Sequence, residues 1–189
     1  SAGDDEAPVN PKDSSYRKDL ALAMYWMGAN VGRWGKLKGP FTALDKWRKI
    51  LKPRIEDLFR LDPTVENYGA HRIAGGALNV LGGTINYQGT ERDALSITAE
   101  AYEGSLHTVN GIETSICMST NIFYLDSLRK ADSVDKFCEL YENVKDIFAD
   151  GDNMVSMAFP DYIPEAYIEY NENFLGDKNF HRFYSKNCQ

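Results

Sequence analysis

Apolar residues recur at three- and four-residue spacing along most of the chain, which predicts helices rather than strands. The first helix is expected over residues 16–34, with Ser14 or Ser15 as its cap. Its middle is apolar nearly all round: Leu20, Leu22, Met24, Tyr25, Trp26, Met27 and Val31. A helix without a polar face is expected inside a bundle. Gly28 and Gly32 are four apart, which predicts a close helix crossing. A break is expected at residues 35–40. A second helix follows over 42–61, its stripe drawn by Leu44, Trp47, Leu51, Ile55 and Leu58, with a kink at Pro53.

Asp62 then caps a third helix that starts at Pro63 and carries Val65, Tyr68, Ile73, Ala77, Leu78 and Leu81. A loop over 82–89 precedes helices at 91–107, 113–130 and 134–149. The last two are joined by so few residues that they must be antiparallel neighbours. Residues 150–160 read as a loop and 164–184 as a closing helix. No stretch longer than four residues alternates as a strand would. The expected fold is all-α: antiparallel helical hairpins stacked in a tetratricopeptide-like array of about seven helices. The pairs share no repeated motif, so a non-repetitive bundle is the alternative. Residues 1–14 are acidic and nearly free of apolar side chains, which predicts a tether. Residues 15–189 then form a single domain.

The chain has 189 residues, enough to bury a core without staples, and carries 21 basic against 28 acidic side chains. That balance argues against a protein built to grip nucleic acid. It is uneven, however: residues 33–60 hold nine Lys and Arg against Asp45, Glu56 and Asp57. This segment is either a solvated face or a landing patch for an acidic partner or lipid headgroups. No run reaches the ~20 apolar residues that span a bilayer. Three cysteines, Cys117, Cys138 and Cys188, contain no C-x-x-C, so no zinc site is implied. In an oxidising compartment Cys188 would pair with Cys117 or Cys138.

Candidate chemistry is sparse. His71, His107 and His181 fall on different helices and none has a second ligand one turn away. The Asp150-Gly151-Asp152-Asn153 run lacks the glycine a calcium loop needs at its sixth position. No nucleophile–base arrangement or phosphate-cradling loop is visible, so no enzyme, metal or cofactor is expected. Asn30 is polar within a segment expected to be buried, and His71 and Arg72 lie beside Tyr68. These are either a structural network, with Asn30 bonded to a neighbouring helix and Arg72 to a carboxylate, or the polar mouth of an aromatic cavity.

The runs Tyr25-Trp26-Met27-Gly28-Ala29-Asn30-Val31-Gly32-Arg33-Trp34, Leu61-Asp62-Pro63 and Tyr68-Gly69-Ala70-His71-Arg72-Ile73-Ala74-Gly75 resemble the T component of TRAP-type transport systems, TatT. The resemblance covers about a third of the chain. It implies a periplasmic, lipid-anchored helical protein that docks a solute-binding protein and holds a hydrophobic small molecule, without catalysis. Contact with the membrane would be through the lipid anchor only, and a homo-oligomer stays open. The candidate ligand-binding residues are Tyr25, Trp26, Asn30, Trp34, Tyr68, His71 and Arg72.

Overall fold

The computed structural model describes residues 14–109, 111–148 and 168–189. The tether and the 150–160 loop, including the Asp150 run, therefore lie outside the described residues, except that Ser14 already opens the first helix. The described residues are mostly helical, as expected. Helix α1 runs over Ser14–Lys38 and ends at Gly39, whose φ of 90° only glycine adopts readily. Pro40 then starts α2, Pro40–Lys46, so a glycine stop is followed by a proline start.

A π-helical turn, Trp47–Leu51, leads from α2 into α3, Lys52–Leu61. Pro53 explains the turn. It has no N–H to give to the carbonyl one turn back, and the wider turn relieves its ring. The expected kink is thus a local widening inside one continuous helical run.

Helix α4, Val65–Leu81, begins two residues later than expected, because Asp62 folds into an Asx turn. Its Oδ1 accepts from the Thr64 N–H at 3.0 Å and the Thr64 hydroxyl at 2.8 Å. Glu66, Asn67 and Tyr68 then take left-handed dihedrals, with φ of 51°, 51° and 63°. For residues with a β-carbon, each costs roughly 1–2 kcal/mol.

Two short antiparallel hairpins replace segments expected as loop or helix. Strands β1, Ile85–Tyr87, and β2, Thr90–Arg92, are joined by Gln88 and Gly89, both at positive φ. Helix α5 is confined to Ala94–Gly104, with Asp93 capping it by accepting from the Ser96 N–H at 2.8 Å. Strands β3, Leu106–Val109, and β4, Ile112–Ser115, pair with Val109 opposite Ile112. Helix α6 is therefore shortened to Met118–Lys130, and Cys117 caps it rather than lying on its stripe. Helix α7, Val134–Phe148, follows after three residues. The closing helix is divided into a π-helical segment, Glu169–Leu175, and α8, Lys178–Asn187. Asp177 starts α8 by accepting from the Asn179 N–H at 2.7 Å.

Two apolar clusters hold the molecule. One joins α1, α3, α4 and β1 around Leu51, Ile55, Leu58 and Leu78. The other joins α6, α7 and α8 around Leu125, Phe137, Val144 and Phe180. Helix α4 is the hub, packing on α1, α3, α5 and α6. Cys138 on α7 is disulfide-bonded to Cys188 at the end of α8, leaving Cys117 as the free thiol.

Candidate functional site

Helix α1 does not lie at the centre. Its buried side is built from Ala21, Tyr25, Gly28 and Gly35. A β-carbon on Gly28 would sit 3.1 Å from the Ile73 side chain and 3.5 Å from that of Leu51, so this is the close crossing the glycines predicted. Gly32 takes no part, having nothing near it. With small residues and Tyr25 on the packed side, most of the other large residues are left partly exposed. Leu20, Leu22, Trp26, Met27, Trp34 and Leu37 are exposed, Leu37 to 84 % and the two tryptophans to 43 % and 40 %.

This corrects the expectation for three candidate residues. Trp26, Asn30 and Trp34 are solvent-exposed and line no interior cavity. Asn30 bonds within its own helix, donating to the Trp26 carbonyl at 2.9 Å, and not to a neighbouring helix. What the structure does bring together is Asn30, Val31 and Trp34 with Lys46 and Ile50, around a shallow groove of about 340 Å³ between α1 and the π-turn.

Of the other four candidates, Tyr25, His71 and Arg72 are buried and Tyr68 is half-buried. Tyr25 packs against Gly69 so closely that a β-carbon there would collide with its ring. Tyr25 thus fills the space beside Gly69, where α1 meets α4. Arg72, almost wholly buried, donates to the Asn67 carbonyl, to the Tyr25 hydroxyl at 3.3 Å and to Cys117 Sγ at 3.5 Å. Among the described residues its partners are thus a carbonyl, a phenol and a thiol, not the expected carboxylate. By holding Asn67 it pins the left-handed turn, and by holding Tyr25 it pins α1 to α4. Burial pushes the Cys117 thiol up in pKa, against the pull of the neighbouring guanidinium.

His71 is fully buried in a cage of rings: Phe59 at 4.8 Å, Tyr87 at 5.0 Å and Tyr68 at 5.2 Å. Among the described residues neither ring nitrogen has a well-formed hydrogen bond. The Glu100 carboxylate stands 3.7 Å from Nε2, and the Pro63 backbone pulls the imidazole towards its protonated form. Desolvation dominates, holding the imidazole neutral with a pKa of about 4. Tyr87 is pushed up by burial and by Glu100 beside its hydroxyl. Tyr68 closes the cage from the left-handed turn, its ring seated over Gly104.

Sequence reasoning missed Glu100, Tyr87 and Phe59 around His71, and no local signal marks them. It also missed that Met27, Leu37 and Ile50 belong to an outer face. Among the described residues no three His, Cys, Asp or Glu side chains gather as metal ligands. The arrangement defines a helical protein with a clamped interior and an apolar outer ridge. Comparison of the chain with protein-family models, with curated proteins and with solved structures gave no match.

Proposed function

We propose that the protein is a non-catalytic binding component whose working surface is the outer face of α1 with its adjoining groove. The observation that carries this reading is the outer side of α1: Ala21, Tyr25, Gly28 and Gly35 face the core, while Leu20, Leu22, Trp26, Met27 and Trp34 stay 37–43 % exposed and Leu37 84 %. Exposed apolar residues scattered singly need no explanation, but several large ones along the outer side of one helix mark an interaction surface. The interior supports the non-catalytic part. His71 is sealed from solvent inside its cage and Arg72 is almost wholly buried, so no substrate reaches the imidazole without the cage opening. Their contacts instead fix the helix that carries the ridge.

The role implied by the TatT resemblance, docking a solute-binding protein in the periplasm from a tetratricopeptide-like helical scaffold, fits a surface of this kind. The Cys138–Cys188 pairing supports an oxidising compartment. The close packing of Tyr25 on Gly69 leaves no room for a ligand at that point of the α1–α4 contact.

Photo-crosslinking tests the reading. A benzophenone amino acid is placed at Trp34, and in a control at the exposed Lys145 on α7, in cells that make the protein. Adducts are expected from position 34 and not from 145. Adducts from both positions alike, or from neither, would refute the assignment.

A further inference from the structure

Resting on the reading of α1 as the working face, we propose that its occupant is a membrane surface containing anionic lipid, on which α1 lies parallel to the bilayer plane. Three observations lead there. The first is shape. Helix α1 has 25 residues, hence about 37 Å of length at 1.5 Å per residue. It lies on the outside as a ridge, with Leu20, Trp26, Met27, Trp34 and Leu37 spaced along it. At 3.6 residues per turn these positions share one side. A fluid interface accepts a long ridge, whereas a folded partner would need a matching trough. Tryptophan and leucine are the residues that settle at the boundary between headgroups and acyl chains.

The second observation is charge. Residues 14–60 carry eleven basic against four acidic side chains, while residues 61–189 carry nine against twenty. Charge is thus unevenly spread along the chain, and the basic stretch is the one that bears the ridge. Arg33 and Lys38 are exposed on α1 itself, Arg48 and Lys49 are exposed on the π-turn, and Lys46 lines the groove beside Trp34. Anionic headgroups attract such a rim, and the acidic remainder is pushed away from the surface, which sets the orientation. The same polarity disfavours a second copy: in a two-fold dimer through α1 each ridge would meet its own basic rim.

The third is depth. No helix among the described residues is long and apolar enough to cross a bilayer. A helix packed on one side and carrying partly exposed apolar side chains on the other, with Asp19 and Asn30 among them, is suited to lying in the interface and not to spanning it.

Vesicle binding tests this with the full chain. Purified protein is mixed with vesicles of phosphatidylcholine alone, or with about a third phosphatidylglycerol, and bound protein is separated by flotation. Binding to the anionic vesicles is expected, with little to the neutral ones, together with a blue shift of tryptophan emission. The double variant Trp26→Ser, Trp34→Ser should bind at least about tenfold more weakly, and Arg33→Gln or Lys38→Gln about fivefold each. Both tryptophans are exposed, so an unchanged circular dichroism spectrum certifies the fold. Absence of binding to anionic vesicles, or equal binding by the tryptophan variant, overturns the proposal. So does a wild-type dimer that the same variant converts to a monomer without vesicle binding, which would assign the face to a second copy. If vesicles fail while position 34 still crosslinks to a protein, the binding-face reading stands and the lipid occupant falls.

Discussion

Replacing His71 with phenylalanine isolates the energetics of the buried cage. In the folded protein the imidazole titrates near about 4, against 6.5 for an unhindered histidine. Between those values the unfolded chain binds a proton that the folded chain refuses. Stability therefore falls as the pH drops from 6.5 towards 4, and this contribution levels off below that. The gap of about 2.5 pH units corresponds to roughly 3 kcal/mol at 1.36 kcal/mol per unit, an upper figure for one buried group. His71→Phe removes the titration. It also replaces two nitrogens without hydrogen-bond partners by carbon, within a cage already made of Phe59, Tyr68 and Tyr87. The added volume costs at most about 1–3 kcal/mol at all pH values, so the signature lies in the slope and not in the offset. The assay is urea unfolding followed by circular dichroism, for both proteins, from about pH 7 to about pH 4. The wild type is expected to lose roughly 3 kcal/mol relative to the variant across that interval. Parallel profiles would refute the reasoning, because they would mean that the folded imidazole takes up the proton, with Glu100 at 3.7 Å as its counter-ion.

Other substitutions test the clamp and the closing helix. Gly69→Ala drives a methyl into the Tyr25 ring and should cost about 1–3 kcal/mol, with Tyr25→Leu in the same chain recovering part of the loss in urea unfolding. Arg72→Met leaves the Tyr25 hydroxyl and the left-handed turn without their donor; a loss of about 2–3 kcal/mol is expected, read from the unfolding midpoint. Cys188→Ser opens a link that spans 50 residues, worth about 4 kcal/mol by loop-closure entropy. The melting temperature of the wild type should fall to that of the variant when reductant is added. The Trp26→Ser, Trp34→Ser double variant should cost about 1–3 kcal/mol in urea unfolding, since both rings are partly covered and Trp26 packs edge-on against Tyr25 at 5.1 Å.

The sequence by itself determined the helical class and most element positions, because helix periodicity, caps and breakers act over a few residues. Gly39 before Pro40 stopped one helix and started the next, and Pro53 announced the π-turn. Asn110-Gly111 is a turn signal, and β3 and β4, the segments on either side of it, pair in the fold. The side of α1 that faces inward was beyond sequence alone, for a physical reason. A helix apolar all round has no periodic stripe to orient it, and only the packed molecule decides between burying bulk and burying closeness. Here the close approach at Gly28 and Ala21, secured by Arg72 holding Tyr25, put Trp26 and Trp34 outside. The approach of Glu100 to His71, from different helices, likewise came from tertiary contact alone, since no local rule links residues that meet only when α4 and α5 pack.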